Sequence, residues 1–267
     1  GSWMAWGSFF IPLYLLGLLG YAWLCLRPLL AELADRPGPL ASLYRKLAYG
    51  GHDNPSAIKA AAWVATLGAL LVLLYTGMEV MVVEARALWN TPLLPLIFAV
   101  TAMTGGIGMT ALMEAFTGNR QSAPLLNQWL ARGIRVTLVL LVSWLVLGLS
   151  GASTAASEGL AAMRASFGWQ VTGGWLLGST LLTLWFAQND RRSLIMPALL
   201  ALHGAWLIRW IVFIGGQSLP KIGSASHAYY LTLTPDSLLG IVGMAGLCVT
   251  LYIILTSLIP WDDQANA

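Results

Sequence analysis

Charge is what this sequence has least of. Asp, Glu, Lys and Arg make up 9% of its 267 residues, while hydrophobic residues make up 58%. A soluble domain carries roughly 25% charged residues. So few charges cannot wet the surface of a soluble globule, and most of the outside must face lipid. Cysteine is nearly absent as well. Cys25 and Cys248 stand far apart, each inside an apolar run, which excludes a disulfide framework or a thiolate-held metal site. Each reads as a small buried hydrophobe. Of three histidines only His203 lies in an apolar run. That leaves no second ligand for a bis-histidine haem, and His203 reads as a hydrogen-bonded packing residue. No lysine in the last apolar run could carry retinal. The net charge of +3 forms no basic stripe with interleaved aromatics, so nucleic acid is not a partner.

What is abundant is the apolar run. About 20 residues of helix cross a bilayer, and seven stretches qualify: 5–29, 60–83, 92–115, 125–149, 166–187, 193–215 and 237–259. The sequence thus predicts an all-α integral membrane protein, a single bundle of about seven transmembrane helices spanning residues 1–267. The first connection, 30–58, is long and polar. Those at 84–91 and 188–192 are short and make their flanking helices antiparallel neighbours. The glycines Gly105, Gly106 and Gly108, and Gly240, Gly243 and Gly246, read as places where helix backbones approach closely.

Lys and Arg counting sets the orientation. Arg27, Arg36, Arg45, Lys46, Lys59, Arg120, Arg132, Arg135, Arg191 and Arg192 fall on one side; Arg86, Arg164 and Lys221 fall on the other. The rich side is expected to be cytoplasmic, with the N-terminus outside and the C-terminus, Asp262-Asp263, inside. Trp3, Trp6, Trp89, Trp129, Trp169, Trp210, Tyr229, Tyr230 and Trp261 mark the interfacial aromatic belts.

An ionisable side chain inside the membrane is costly and so is a functional hypothesis by default. In the second span Tyr75 and Glu79 are four residues apart and stack on one helical face. A phenol and a carboxylate placed so can hold and protonate a carbonyl oxygen. In the sixth span Arg209 needs an anionic or carbonyl partner; Glu79, at the same depth, is a candidate. Gln217 follows two turns outward. Glu84 and Arg86 read as helix-end charges or a docking surface, and Glu114, Asp190, Arg191 and Arg192 as inner-face charges. No continuous polar path joins the levels of Glu79 and Glu114, which disfavours a channel or carrier. Polar groups gathered at one face suit a lipid-soluble ligand that enters sideways.

Two stretches resemble the membrane subunits of the polysulfide reductase (NrfD/PsrC-type) family. One is Tyr75-Thr76-Gly77 followed by Trp89-Asn90-Thr91-Pro92-Leu93-Leu94-Pro95. The other runs from Arg209-Trp210-Ile211-Val212 through Gly215-Gly216-Gln217-Ser218-Leu219-Pro220. The opening Ser2-Trp3-Met4-Ala5-Trp6-Gly7 and the Tyr75–Val80 stretch are most similar to the tetrathionate reductase subgroup. The resemblance covers nearly the whole chain. It implies a haem-free anchor without its own iron–sulfur cluster, in a bacterial cytoplasmic (inner) membrane. That anchor exchanges electrons between menaquinone or ubiquinone and an iron–sulfur subunit, which is joined to a molybdenum bis-pterin catalytic subunit. Family members have eight or nine helices, so the chain is expected to begin at the third. The expected quinone site is Tyr75, Glu79, Arg209 and Gln217, with Tyr75 and Glu79 as the proton-handling pair and no metal.

Overall fold

The computed structural model describes residues 2–50, 54–118, 121–189, 193–218 and 232–259. The expectations placed on Arg120, Asp190, Arg191, Arg192, Lys221, Tyr229, Tyr230, Trp261, Asp262 and Asp263 lie outside the described residues. Among those described, every regular element is helical: α1 (Trp3–Asp35), α2 (Ala41–Leu47), α3 (Pro55–Met81), α4 (Leu94–Thr117), α5 (Ala123–Leu149), α6 (Thr154–Ala165), α7 (Phe167–Asn189) and α8 (Ile195–Trp210). A π-helical turn, Ile211–Gly215, continues α8 into the short α9 (Gly216–Ser218), and α10 (Leu238–Leu258) closes the series.

Among the described residues six helices are long and apolar enough to cross a membrane: α1, α3, α4, α5, α8 with its continuation, and α10. This is a multi-pass membrane protein. The expected span at 166–187 is a helix too, α7, but Gln170, Thr172, Ser179, Thr180 and Thr183 leave it outside those six. The short α2 and α6 were not legible as elements. α6 is cut from the chain by Ser153, whose side chain caps the Ala156 amide at 3.2 Å, a standard helix start.

The chain forms two compact units. The first comprises Gly1–Phe10 with Ala69–Ala228, the second Ile11–Gly68 with Tyr229–Ala267. In the first, α4, α5, α7 and α8 pack in a ring, each on its two neighbours, with α6 laid against α5 and α7. Its core is layered. One apolar cluster, built on Leu94, Ile97, Phe98, Leu176, Leu207, Ile208, Ile211 and Val212, fills the end where α6 lies. A second, on Leu130, Ala131, Ile134, Ala187 and Ala201, fills the middle. A third, around Ala111, Ala123, Leu194 and Ala198, fills the opposite end.

Between the first two clusters lies a tier of buried hydroxyls: Thr101, Thr104, Thr137, Ser179, Thr180 and Thr183. Each donates to a carbonyl of its own helix three or four residues back, for example Thr101 to Ile97 at 2.6 Å and Thr183 to Ser179 at 2.7 Å. The second apolar cluster separates this tier from the Glu114 end of α4.

The α4 glycines behave as expected in part. A Cβ at Gly108 would lie 2.9 Å from the Ala198 carbonyl and 3.3 Å from Ala201 Cβ, and one at Gly105 3.2 Å from Ala205 Cβ; at Gly106 it would meet nothing. Gly108→Leu is therefore expected to lower stability in detergent by about 1–3 kcal/mol through overpacking of α4 on α8, read as an earlier thermal unfolding; Gly106→Leu should be near neutral. In α10 a Cβ at Gly240 would fall on the Pro235 carbonyl of the turn just before the helix, while Gly243 and Gly246 meet no neighbour within 4 Å, so among the described residues these glycines meet no other helix.

In the second unit α1 and α3 touch backbone to backbone. A Cβ at Gly17 would lie 2.7 Å from Ala65 Cα, and one at Gly68 2.7 Å from the Tyr14 amide. The loop past α2 is tied to α1 by Trp23, which donates to the Leu47 carbonyl at 2.7 Å, and by Arg27, which reaches the Tyr49 carbonyl at 3.4 Å. Gly50, with φ of 91°, gives the turn that lets Arg27 in. Cys25 and Cys248 correct the expectation of burial: both are free and exposed. In a span, exposure means facing lipid, which suits a small apolar side chain equally well.

Candidate functional site

Tyr75 and Glu79 lie one turn apart near the end of α3, on one helical face. Both are half-buried. The Tyr75 ring lies on Gly7 of α1, where a Cβ would come within 2.7 Å of the ring. Between the two, Gly77 faces the first turn of α4, with Pro95 Cβ 3.0 Å from a Cβ placed there. Gly77 and Val80, which packs on the first apolar cluster, thus form the face of α3 that approaches α4, while Tyr75 and Glu79, each two residues from Gly77, lie on another face.

Arg209 reaches α4 from the other side. Its guanidinium donates to the Ala205 carbonyl at 2.7 Å, the Phe98 carbonyl at 3.3 Å and the Thr101 hydroxyl at 3.4 Å, and it lies 5.3 Å over the Phe98 ring. These partners are all neutral. Among the described residues Arg209 makes no ion pair with Glu79, the partner considered from sequence. The reason is local: α4 offers carbonyls and a hydroxyl one turn below Pro95, and the guanidinium fork takes them. Its positive charge is hydrogen-bonded but not neutralised by a described carboxylate within 4.0 Å. Arg209 thus bonds to the first two turns of α4, whereas Tyr75 and Glu79 lie on another face of α3, where the Tyr75 ring meets Gly7 of α1.

Gln217 stands apart from that group. Its side chain is exposed on α9, and its backbone carbonyl accepts from Arg86 at 3.2 Å. That contact belongs to an arrangement the sequence did not disclose. Trp89 donates its indole N–H to the Val212 carbonyl at 2.6 Å, and Arg86 bonds the Gly216 carbonyl at 3.2 Å while lying 5.9 Å from the Trp89 ring. A Cβ at Gly216 would fall on the indole, 2.6 Å from Cδ1; one at Gly215 would lie 3.2 Å from the Trp169 ring. The two stretches singled out as motifs therefore clasp each other. The π-helical turn carries its extra residue at this place, and such turns often mark functional sites. Trp89 and Trp169 pack within this clasp, and Arg86 is a tie between α9 and the α3–α4 connection. The signal available in sequence was the pairing of a Gly-Gly dipeptide with tryptophans elsewhere, which spacing alone cannot join.

His203 accepts from the Trp175 indole at 2.8 Å and lies 6.0 Å from the Trp206 ring, as expected of a packing histidine. Among the described residues no three His, Cys, Asp or Glu side chains gather.

A cavity of about 370 Å³ opens at the α6 end of the bundle, against the first apolar cluster. Leu94 and Ile97 of α4, Leu141, Val142 and Leu145 of α5, and Gly173, Gly174 and Leu177 of α7 are among its walls, with Arg164 and Gln170 its most polar members. No single apolar run of the sequence predicts it, because five helices each contribute a few residues.

Comparison with known proteins places these features in a family. Residues 1–221 match the model of polysulphide reductase, NrfD. The chain is similar to one of the subunits of the tetrathionate reductase of Salmonella typhimurium, with 28% identity over 258 residues, covering 95% of this chain and 69% of that protein.

Proposed function

Since the chain belongs to the polysulphide reductase NrfD family, we propose that it is the membrane anchor of a reductase complex and binds a membrane quinone beside α4. The observation that carries this reading is the guanidinium of Arg209, held inside a span by neutral oxygens alone. A charge in that setting is costly. It is retained where an electron-rich oxygen of a ligand is to be met. Tyr75 and Glu79, a proton donor and a proton acceptor on one face of α3, are the pair assigned to the same ligand.

The residues fit a quinone head. Such a ligand offers carbonyl oxygens that need donors, and a bound quinone supplies two-electron, two-proton redox chemistry. Tyr75 donates a hydrogen bond to one oxygen. Glu79 accepts or returns the proton. Arg209 keeps donors in reserve, since a guanidinium has five N–H groups, and its charge favours electron density on the ligand oxygen. Gln217 is a weaker contact at the exposed end of the clasp.

In the wider assembly α7 is a seventh span and the N-terminus is outside the bacterial cytoplasmic membrane, so that this end of the bundle faces the extracytoplasmic side. An iron–sulfur subunit docks there and passes electrons to a molybdenum bis-pterin catalytic subunit. Neither haem nor a cluster resides in this chain.

The test is quinol oxidation by the intact complex. Glu79→Gln and Tyr75→Phe are each expected to lower it about tenfold or more, the low end of what one positioned acid–base group contributes. Unchanged rates in both variants would leave the chain a structural anchor without a ligand of its own.

A further inference from the structure

The cavity at the α6 end is not used by the proposed quinone site, and its chemistry points elsewhere. Packed interiors hold few voids larger than one water molecule, whereas this one measures about 370 Å³, within the roughly 300–1,000 Å³ of ligand pockets. Its walls are aliphatic and aromatic: Leu141, Leu145, Trp144, Leu160, Leu176 and Ile208 among them. An apolar cavity does not hold water. In a membrane the substance at hand to fill it is hydrocarbon.

The cavity also reaches the lipid. Val142 on α5 and Leu177 on α7, both part of its wall, are 49% and 38% exposed. Gly174 between them is exposed, and a Cβ there would meet nothing within 4 Å. This glycine leaves a side window between α5 and α7. At the other end α6 forms a lid. Its Leu160 and Met163 point to the cavity, and Met163 Cε would lie 2.8 Å from a Cβ at Gly173. α6 is fixed to α5 by Ser157, which donates to the Gly148 carbonyl at 2.8 Å. Arg164, in the last turn of α6, lines the mouth with an exposed side chain. No carboxylate of the described residues pairs with it. Gln170 is turned back to the Arg164 carbonyl at 2.6 Å, leaving the guanidinium as the charged group at the entrance.

From this combination we infer that the cavity is a binding site for one acyl chain of an anionic phospholipid, entering between α5 and α7, with its phosphate on Arg164. A hydrocarbon slot with one cation at its interfacial end is complementary to such a lipid. A zwitterionic lipid fills the slot equally but gains less from Arg164.

The experiment uses the full chain in vesicles with a phosphatidylglycerol that carries a photoactivatable diazirine on one acyl chain, and a phosphatidylcholine bearing the same chain. Labelled peptides are mapped by mass spectrometry. Labelling is expected on the α5 segment around Val142 and the α7 segment around Leu177, above that on α10. Arg164→Gln should lower the preference for phosphatidylglycerol over phosphatidylcholine by about fivefold, the worth of one surface cation toward anionic lipid. Gly174→Phe should abolish labelling of the slot, while Gly106→Phe, at an equally open glycine of α4, should not. If Gly174→Phe fails to insert, the Arg164→Gln ratio decides alone. Labelling no stronger than on α10, or a ratio untouched by Arg164→Gln, overturns the proposal. So does displacement of the probe by stoichiometric quinone, which would assign the slot to the quinone. Loss of quinol oxidation in the Glu79 and Tyr75 variants bears on the other site and leaves this outcome unaffected.

Discussion

Replacing Arg209 with leucine is expected to lower quinol oxidation by the intact complex about a hundredfold, the scale seen when one preorganised donor to developing charge is removed. The guanidinium is oriented by three neutral acceptors on α4 and α8. Its effect should fall mainly on kcat, because the charge favours the ligand oxygen most when electron density builds there. Arg209→Lys keeps the charge without the planar fork, so it should recover part of the rate. If Arg209 were only a brace between helices, Leu and Lys variants would change thermal unfolding together and leave kcat alone. The measurements are steady-state kinetics with a quinol donor and a melting curve on the same preparations.

The second large effect concerns stability. Trp89→Ala removes an indole packed on the first apolar cluster, its 2.6 Å hydrogen bond to Val212 and its contact with Arg86. The expected cost is about 3–5 kcal/mol, as for other large aromatic truncations, seen as a lower midpoint in thermal or denaturant unfolding in detergent. Trp89→Phe keeps most of the packing and loses the donor, so about 1 kcal/mol should go. Gly216→Val places a side chain where the indole lies and should approach the alanine variant in severity. A Trp89→Ala chain as stable as the parent would mean that the two motif stretches meet without holding each other.

Hydropathy carried much of the architecture into view before any coordinates. The α5 bounds of 123–149 and the α10 bounds of 238–258 fall within two residues of the apolar runs, because lipid contact demands apolar side chains along the whole length of a span. Where helices leave that rule, sequence reading fails. α1 runs on to Asp35, past the apolar run, because Leu30, Leu33 and Ala34 find a buried setting of their own. α6 is too short and too rich in Ala and Ser to register as apolar, yet it closes the cavity. α7 gives up apolar content to the hydroxyls of Ser179, Thr180 and Thr183, which face inward rather than lipid.

The Tyr75–Glu79 pair was visible because four residues make one helical turn. The Arg209 partners were not, since nothing in the spacing tells Phe98 and Thr101 from Glu79. The Trp89 clasp needed a π-helical turn, whose extra residue leaves no mark in composition. The cavity depends on small residues at Gly173 and Gly174 meeting short side chains on other helices, a property of the assembled bundle and not of any segment.

The hydroxyl tier has a consequence for biogenesis. Each of its side chains donates its proton to its own helix backbone, so none of these hydroxyls waits for a neighbouring helix to satisfy it. The hydroxyls of α7 can therefore enter an apolar setting already satisfied, while its Trp175 indole finds His203 only once α8 is in place. Assembly of the ring then becomes a search among rods whose hydroxyls are already content, with Arg209 and Trp175 among the side chains that find their partners on arrival.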